Sequence, residues 1–218
     1  MQKDTAIPLQ EVMSPEEKEL REHLALSYRC AHKNDLNEGC DNHLSAALES
    51  QDAFLTLPYG ILWSTVQPED LILVDFDGKV LRESARKDAI EGHVYEPDIT
   101  AIQIHGNIHK KLGNKRAKVV FHTHQHFATT LACMPENYEL QMIHQGSNRF
   151  YKSVVYYRDF NGLVDNEEEG QKIADEFLKP ENEGKRIMQM HHHGLLVIGP
   201  NCWEAMDDLY FFEKTARL

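Results

Sequence analysis

The stretch KVVFHTHQHFATTLACM, Lys118 to Met134, places histidines at three alternate positions, His122, His124 and His126, directly after a β-branched run. Alternate residues of a strand point to the same side, whereas on a helix they diverge by about 200°. A strand through His122 and His124 therefore makes two imidazoles converge. Each neutral imidazole can give one ring lone pair to a divalent cation, and a third ligand would complete a catalytic-type centre with an open position. A second histidine-rich segment, His191 to Gly194, follows another apolar run, and the glycine leaves room for close backbone approach. A single H-x-H is common strand decoration. Two histidine-rich strand ends, each beside a small residue or a helix start, favour a metal centre. His126 and His191 are weaker candidates, either hydrogen-bonding to orient a ligand or simply exposed.

Several elements must position these groups. Ser14, Pro15 and Glu17 read as a helix start, with Leu20, Leu24 and Ser27/Tyr28 on one face. HLSAALE and DAFLTLP read as strands, with a Pro-Tyr-Gly turn after the second. EDLILVDFDGKVL reads as a hairpin about Asp77-Gly78. DITAIQIHGNIHKKLGNK has near-helical apolar spacing, AKVVFH is a buried strand, and FATTLACM starts a helix. YKSVVYYRDF is a strand. NEEEGQKIADEFLK is an amphipathic helix with Ile173, Ala174, Phe177 and Leu178 inward and a solvated acidic start, Asp165 to Gly170. RIMQMHHHGLLVIGP reads as one long strand region and CWEAMDDLYFFEKTAR as a closing helix. Residues 1–13 read as a flexible arm and 14–218 as one α/β domain with a largely antiparallel sheet.

The 218 residues, 41% hydrophobic and 27% charged, suit one globular domain. A net charge of −12 argues against nucleic acid or an anionic membrane as partner. No segment reaches the ~20 apolar residues of a membrane span, and the start lacks the apolar core of a signal peptide. Cys30, Cys40, Cys133 and Cys202 form no C-x-x-C pair, so a reduced, cytoplasmic setting is expected. Cys133 and Cys202 read as small buried hydrophobes, and Trp63 and Trp203 as core or interface anchors.

Taken in order, these segments resemble the class II aldolase/adducin family, over nearly the whole chain. VVFHTHQHFATTLA matches its H-[TN]-H strand end, and MQMHHHGLLVIGPNCWEAM its [HN]-H-G strand end. NEGCDNHLSAAL, DAFLTLPYGILWSTVQPEDLILVDFDGKVL and ITAIQIHGNIHKK match the family's segments before the first of these, and VVYYRDFNGLVDNEEEGQKIADEFL the strand and helix before the second. The resemblance implies a three-layer α/β/α fold around a central, mainly antiparallel sheet. It implies ligands His122, His124 and His193 for a divalent ion, zinc first and iron or manganese as variants. It also implies a homo-oligomer, with a tetramer favoured, and a small-molecule substrate.

The chain departs from the sugar-phosphate aldolases of that family. Their acid/base carboxylate stands four residues before a helix histidine; with His105 as that histidine the position is Ala101, and Glu96, Asp98 and Gln103 are the nearby substitutes. The phosphate-binding loops are also altered: Tyr59 stands in LPYG where a hydroxyl residue is expected, and GCDNHLS lacks a glycine before Asn42. These features lean toward the adducin-like branch, yet all three ligand histidines are kept. The expected function is a metal-dependent lyase, acting by aldol cleavage, decarboxylation or dehydration on a small hydroxy-carbonyl or carboxylate compound rather than a typical sugar phosphate. The alternative is a non-catalytic adducin-like binding or assembly module. Asn42 and Gly60 are the candidate substrate contacts, with His43 beside Asn42, although Asn42 equally suits a turn cap. His126 and His144 are the candidate proton shuttles, and a phenol among Tyr151, Tyr156 and Tyr157 is a further option. The chain stops soon after FFEKTARL, so a closing C-terminal lid is expected to be reduced or absent.

Overall fold

The computed structural model describes residues 13–86, 95–135 and 137–218. All but the last residue of the expected N-terminal arm lies outside them. Helix α1 (Pro15–Lys33) starts as its sequence dictates: the Ser14 hydroxyl accepts from Glu17 N–H at 3.1 Å, and Pro15 fills the first turn. Its apolar stripe, Leu20, Leu24 and Tyr28, is buried, and the Tyr28 hydroxyl donates to the Leu44 carbonyl at 2.7 Å. That bond ties α1 to β1.

The strands are β1 (His43–Ala47), β2 (Ala53–Thr56), β3 (Ile72–Asp75), β4 (Val80–Arg82), β5 (Val119–Thr123), β6 (Val154–Tyr157), β7 (Ile187–Met190) and β8 (Gly194–Gly199). They form one sheet in the order β4-β3-β2-β1-β5-β8-β7-β6. Every pairing is antiparallel except β6 with β7, which are joined through helix α6 (Glu167–Leu178) as a parallel pair requires.

Alternation along the central strands supplies both faces. Val119 and Phe121 of β5, with Leu195 and Val197 of β8, join the core under α1 and the last helix, α7 (Cys202–Ala216). Val120, Leu196 and Ile198 join the opposite core, under α6 and a helical segment spanning 99–112. Helices cover both faces, so this is a three-layer α/β/α domain, as expected. Each fully buried leucine or phenylalanine contributes about 1.5–3 kcal/mol.

The segment over 99–112 is helical but not uniform. α2 (Ile99–Ala101) passes through a wide π-type turn, Ile102–Gly106, into α3 (Asn107–Leu112), followed by a further turn, α4 (Asn114–Ala117). α6 lies against this turn at Gly170, where a Cβ would meet the Gln103 carbonyl oxygen at 2.2 Å. Only glycine allows that approach.

Several expectations need correction. RIMQMHHHGLLVIGP is not one strand: it is the β7–β8 hairpin, with Met190 opposite Gly194 and histidines 191–193 forming the turn. His193 N–H donates to Met190 O at 3.1 Å, and His192 takes a positive φ of 53°. Apolar residues on both arms make the reversal invisible to periodicity. Leu178, at the end of α6, is exposed, and Cys133 caps α5 (His126–Ala132) at the surface. Glu169, in the acidic start of α6, is buried, accepting from the Tyr157 hydroxyl at 2.8 Å and from Asn161 at 3.0 Å. Trp63 is a core residue set edge-on to Tyr28; Trp203 is half exposed.

Candidate metal centre

β5 is central in the sheet, and its pleat sends His122 to the same face as Val120. His124 follows on the strand's exit, and His193 closes the adjacent hairpin. The Nε2 atom of His122 lies 3.0 Å from that of His124 and 3.1 Å from that of His193. One nitrogen from each of the three falls within 4.8 Å of the others. Tetrahedral zinc, with Zn–N of about 2.0–2.1 Å, separates neighbouring nitrogens by roughly 3.3 Å. The cluster is therefore close to a ready tripod.

The remaining ring nitrogens fix the tautomers. His122 Nδ1–H donates to the Leu195 carbonyl at 3.0 Å, and His124 Nδ1–H to the Glu38 carboxylate at 3.0 Å. Both rings then turn Nε2 lone pairs inward. Converging lone pairs repel one another, and a cation relieves this. Burial, then the neighbouring histidines, lowers His193 to about 3 and holds His122 well below its ordinary value, keeping both in the neutral ligating form. These residues fit a divalent ion.

The backbone packing is equally specific. A Cβ on Gly194 would meet the Thr123 carbonyl oxygen at 2.7 Å and the His124 ring at 2.8 Å. The glycine is what lets the His193 turn close on the β5 exit. The Asn42 side-chain oxygen Oδ1 accepts from Glu38 N–H at 2.7 Å and from His124 N–H at 3.2 Å. Asn42 is thus a cap, and one that also secures a ligand.

The three histidines open onto a cavity of about 450 Å³ whose walls include Glu38, Asp41, His43, Tyr59, Asp98 and Thr100, with Ile104, Leu163 and Val164 as apolar lining. Burial lowers His43 to about 4, opposed by the Asp98 charge. Ala101 is buried and is not in the lining, whereas Asp98, Ile99 and Thr100 are. Asn42 and Gly60 are not lining residues either; their neighbours His43 and Tyr59 are. His126 sits exposed at the start of α5, beside Glu213 and Arg217. His144 accepts from Ser147 N–H at 2.8 Å, capping the turn Gln145–Phe150. Neither faces the cavity within this chain. Nor do Tyr151, Tyr156 and Tyr157; Tyr156 is buried enough to be pushed up to about 12 and accepts from Leu140 N–H at 3.0 Å.

Glu38 and Thr100 escaped the sequence reading. Glu38 stands in a loop with no local signal. Thr100 is visible only once Asp98 is recognised as a helix cap, accepting from Thr100 N–H at 2.8 Å.

Comparison with known proteins accords with this arrangement. The family described as class II aldolase and adducin N-terminal domain matches residues 22–218. The meiotically up-regulated gene 14 protein of Schizosaccharomyces pombe is 24% identical over 100% of this chain and 78% of its own length. Decarboxylase NovR of Streptomyces niveus is 26% identical over 69% of this chain and 49% of its own. An aldolase II superfamily protein from Pseudomonas syringae superposes with a TM-score of 0.82, at 24% identity, over 97% of this chain and 78% of that one.

Proposed function

Since the chain belongs to the class II aldolase and adducin family, we propose that it is a metal-dependent lyase for a small hydroxy-carbonyl or carboxylate substrate. The observation that carries this reading is the inward convergence of three histidines, two of them tautomer-fixed, at a cavity wall. His122, His124 and His193 would hold the ion, which would supply Lewis-acid polarisation of substrate oxygens. Zinc suits the all-nitrogen set, with iron or manganese as variants.

The cavity walls restrict what enters. Glu38, Asp41 and Asp98 line it, and none of the described lining residues is Lys or Arg. That supports a substrate other than a sugar phosphate, since a dianion would meet acidic walls. Similarity to a decarboxylase supports carbon–carbon cleavage with loss of carbon dioxide as one reaction class. His43, Thr100 and Asp98 orient the substrate from the side, and Leu163 and Val164 exclude water.

Metal content per chain, by plasma mass spectrometry, tests the reading on wild type and His124→Ala. About one ion per chain in the wild type, lost in the variant, is the expected result. A folded wild type that takes up no added zinc, iron or manganese would defeat the enzyme reading and favour a binding module. We also infer a homo-oligomer, with a tetramer first, which light-scattering mass determines.

A further inference from the structure

Behind the cavity wall a file of buried side chains runs into the interior. His43 Nδ1 and His105 Nε2 are 2.7 Å apart, and His105 Nδ1 and Ser45 Oγ 2.6 Å. Ser45 Oγ and His109 Nε2 are 2.8 Å apart, and His109 Nδ1 lies 2.8 Å from the Ala117 carbonyl oxygen. All four side chains are buried.

The inner end gives the file a direction. A carbonyl oxygen only accepts, so His109 carries its proton on Nδ1 and offers a lone pair at Nε2. The Ser45 hydroxyl donates to that lone pair; its other acceptor, the Val120 carbonyl, is farther, at 3.4 Å. Ser45 oxygen then accepts from His105 Nδ1–H. His105 Nε2 is left as an acceptor, and the 2.7 Å gap has room for one proton, which His43 Nδ1 supplies. His43 therefore ends the file with a lone pair at Nε2, on the cavity side.

Thr100 Oγ1 lies 3.2 Å from that Nε2 and 2.7 Å from Asp98 Oδ1. Its one hydroxyl hydrogen can serve only one of the two at a time. This wall holds more acceptors than donors.

We propose that the wall formed by His43, Thr100 and Asp98 determines specificity: it accepts a hydrogen bond from a substrate hydroxyl, while His105, Ser45 and His109 are positioning residues that hold His43 in the accepting tautomer. The proposal rests on the metal-site reading for the other end of the substrate, whose carbonyl or carboxylate faces the three histidines. A substrate without the hydroxyl leaves a desolvated acceptor unpaired, which sites of this kind penalise.

Two measurements on the full chain test this. Nitrogen-15 histidine spectra of the metal-free protein, assigned with single His→Gln variants, are expected to show His43, His105 and His109 protonated on Nδ1. His43 protonated on Nε2 would overturn the proposal. Calorimetric titration of the zinc-loaded protein then compares glycolate with methoxyacetate, which lacks the hydroxyl hydrogen. Glycolate is expected to bind about tenfold tighter, a difference of one hydrogen bond. That preference should shrink to about twofold in Ser45→Ala and in His109→Phe at unchanged zinc content; two variants at separate links guard against one failing to fold. Equal binding of both ligands to fully loaded wild type sinks the proposal and leaves the metal reading standing. Failure to hold zinc sinks the metal reading instead, and the spectra still decide the tautomers.

Discussion

The three-histidine cluster depends on atoms that would never touch an ion held there. The Glu38 carboxylate fixes which nitrogen of His124 is free, from a loop residue whose side chain is two-thirds exposed. Such partners commonly change metal affinity by 10–100-fold. Glu38→Gln keeps the shape and an accepting oxygen but loses the charge. Its zinc affinity, measured against a competing chelator, is expected to fall by about tenfold without a change in unfolding midpoint. An unaltered affinity would show that the carboxylate serves only the loop. Asn42 is legible from its residue type as either a substrate contact or a cap, and its Oδ1 serves as a cap, accepting from Glu38 and His124 N–H.

At the scale of elements, the ligands are held by neighbours that secure the β5 exit. Glu213 of α7 accepts from the N–H groups of Phe127 and Ala128, both at 2.9 Å, at the start of α5. A carboxylate at a helix N-terminus satisfies orphan donors and meets the positive end of the dipole. Gln125 donates to the Leu209 carbonyl at 3.1 Å from the same junction. Glu213→Ala leaves two donors at a largely buried helix start without their acceptor and is expected to cost about 2–4 kcal/mol in urea unfolding. It should also loosen the metal, because α5 directly follows His124. A cost within about 0.5 kcal/mol, the range of an ordinary surface change, would remove Glu213 from this role. The π-type turn Ile102–Gly106 works similarly, seating His105 in the buried file while α6 closes over it at Gly170.

At the scale of the whole molecule, buried neutral imidazoles couple folding to pH. Burial lowers His109 to about 4, whereas an unfolded histidine titrates near 6.5. Between those values the unfolded chain binds a proton that the folded chain does not. Stability from this group is therefore complete above about pH 6.5 and is lost as pH falls toward 4, on the order of 3 kcal/mol. Urea unfolding from pH 8 to 4.5 is expected to show this decline, with a shallower slope in His109→Gln by about one proton. Equal slopes would place the linked protons elsewhere. None of the described helices is long and apolar enough to cross a membrane.

By itself the sequence determined most of the element order, the N-terminal cap of α1, the buried central strand and the convergence of His122 and His124. Each of these rests on local rules: a cap reads its own first turn, and a strand's period places His122 and His124 together. Position along the chain could not reveal the β7–β8 reversal, because both arms are apolar and the turn is built of histidine. It could not reveal Glu38 on His124, Glu213 under α5, or the file from His43 to Ala117, whose members come from β1, the π-type turn, α3 and α4. Those contacts exist only once the sheet sets the register of β1 against β5 and the helices pack over it, since hydrogen bonding is decided by distance in space.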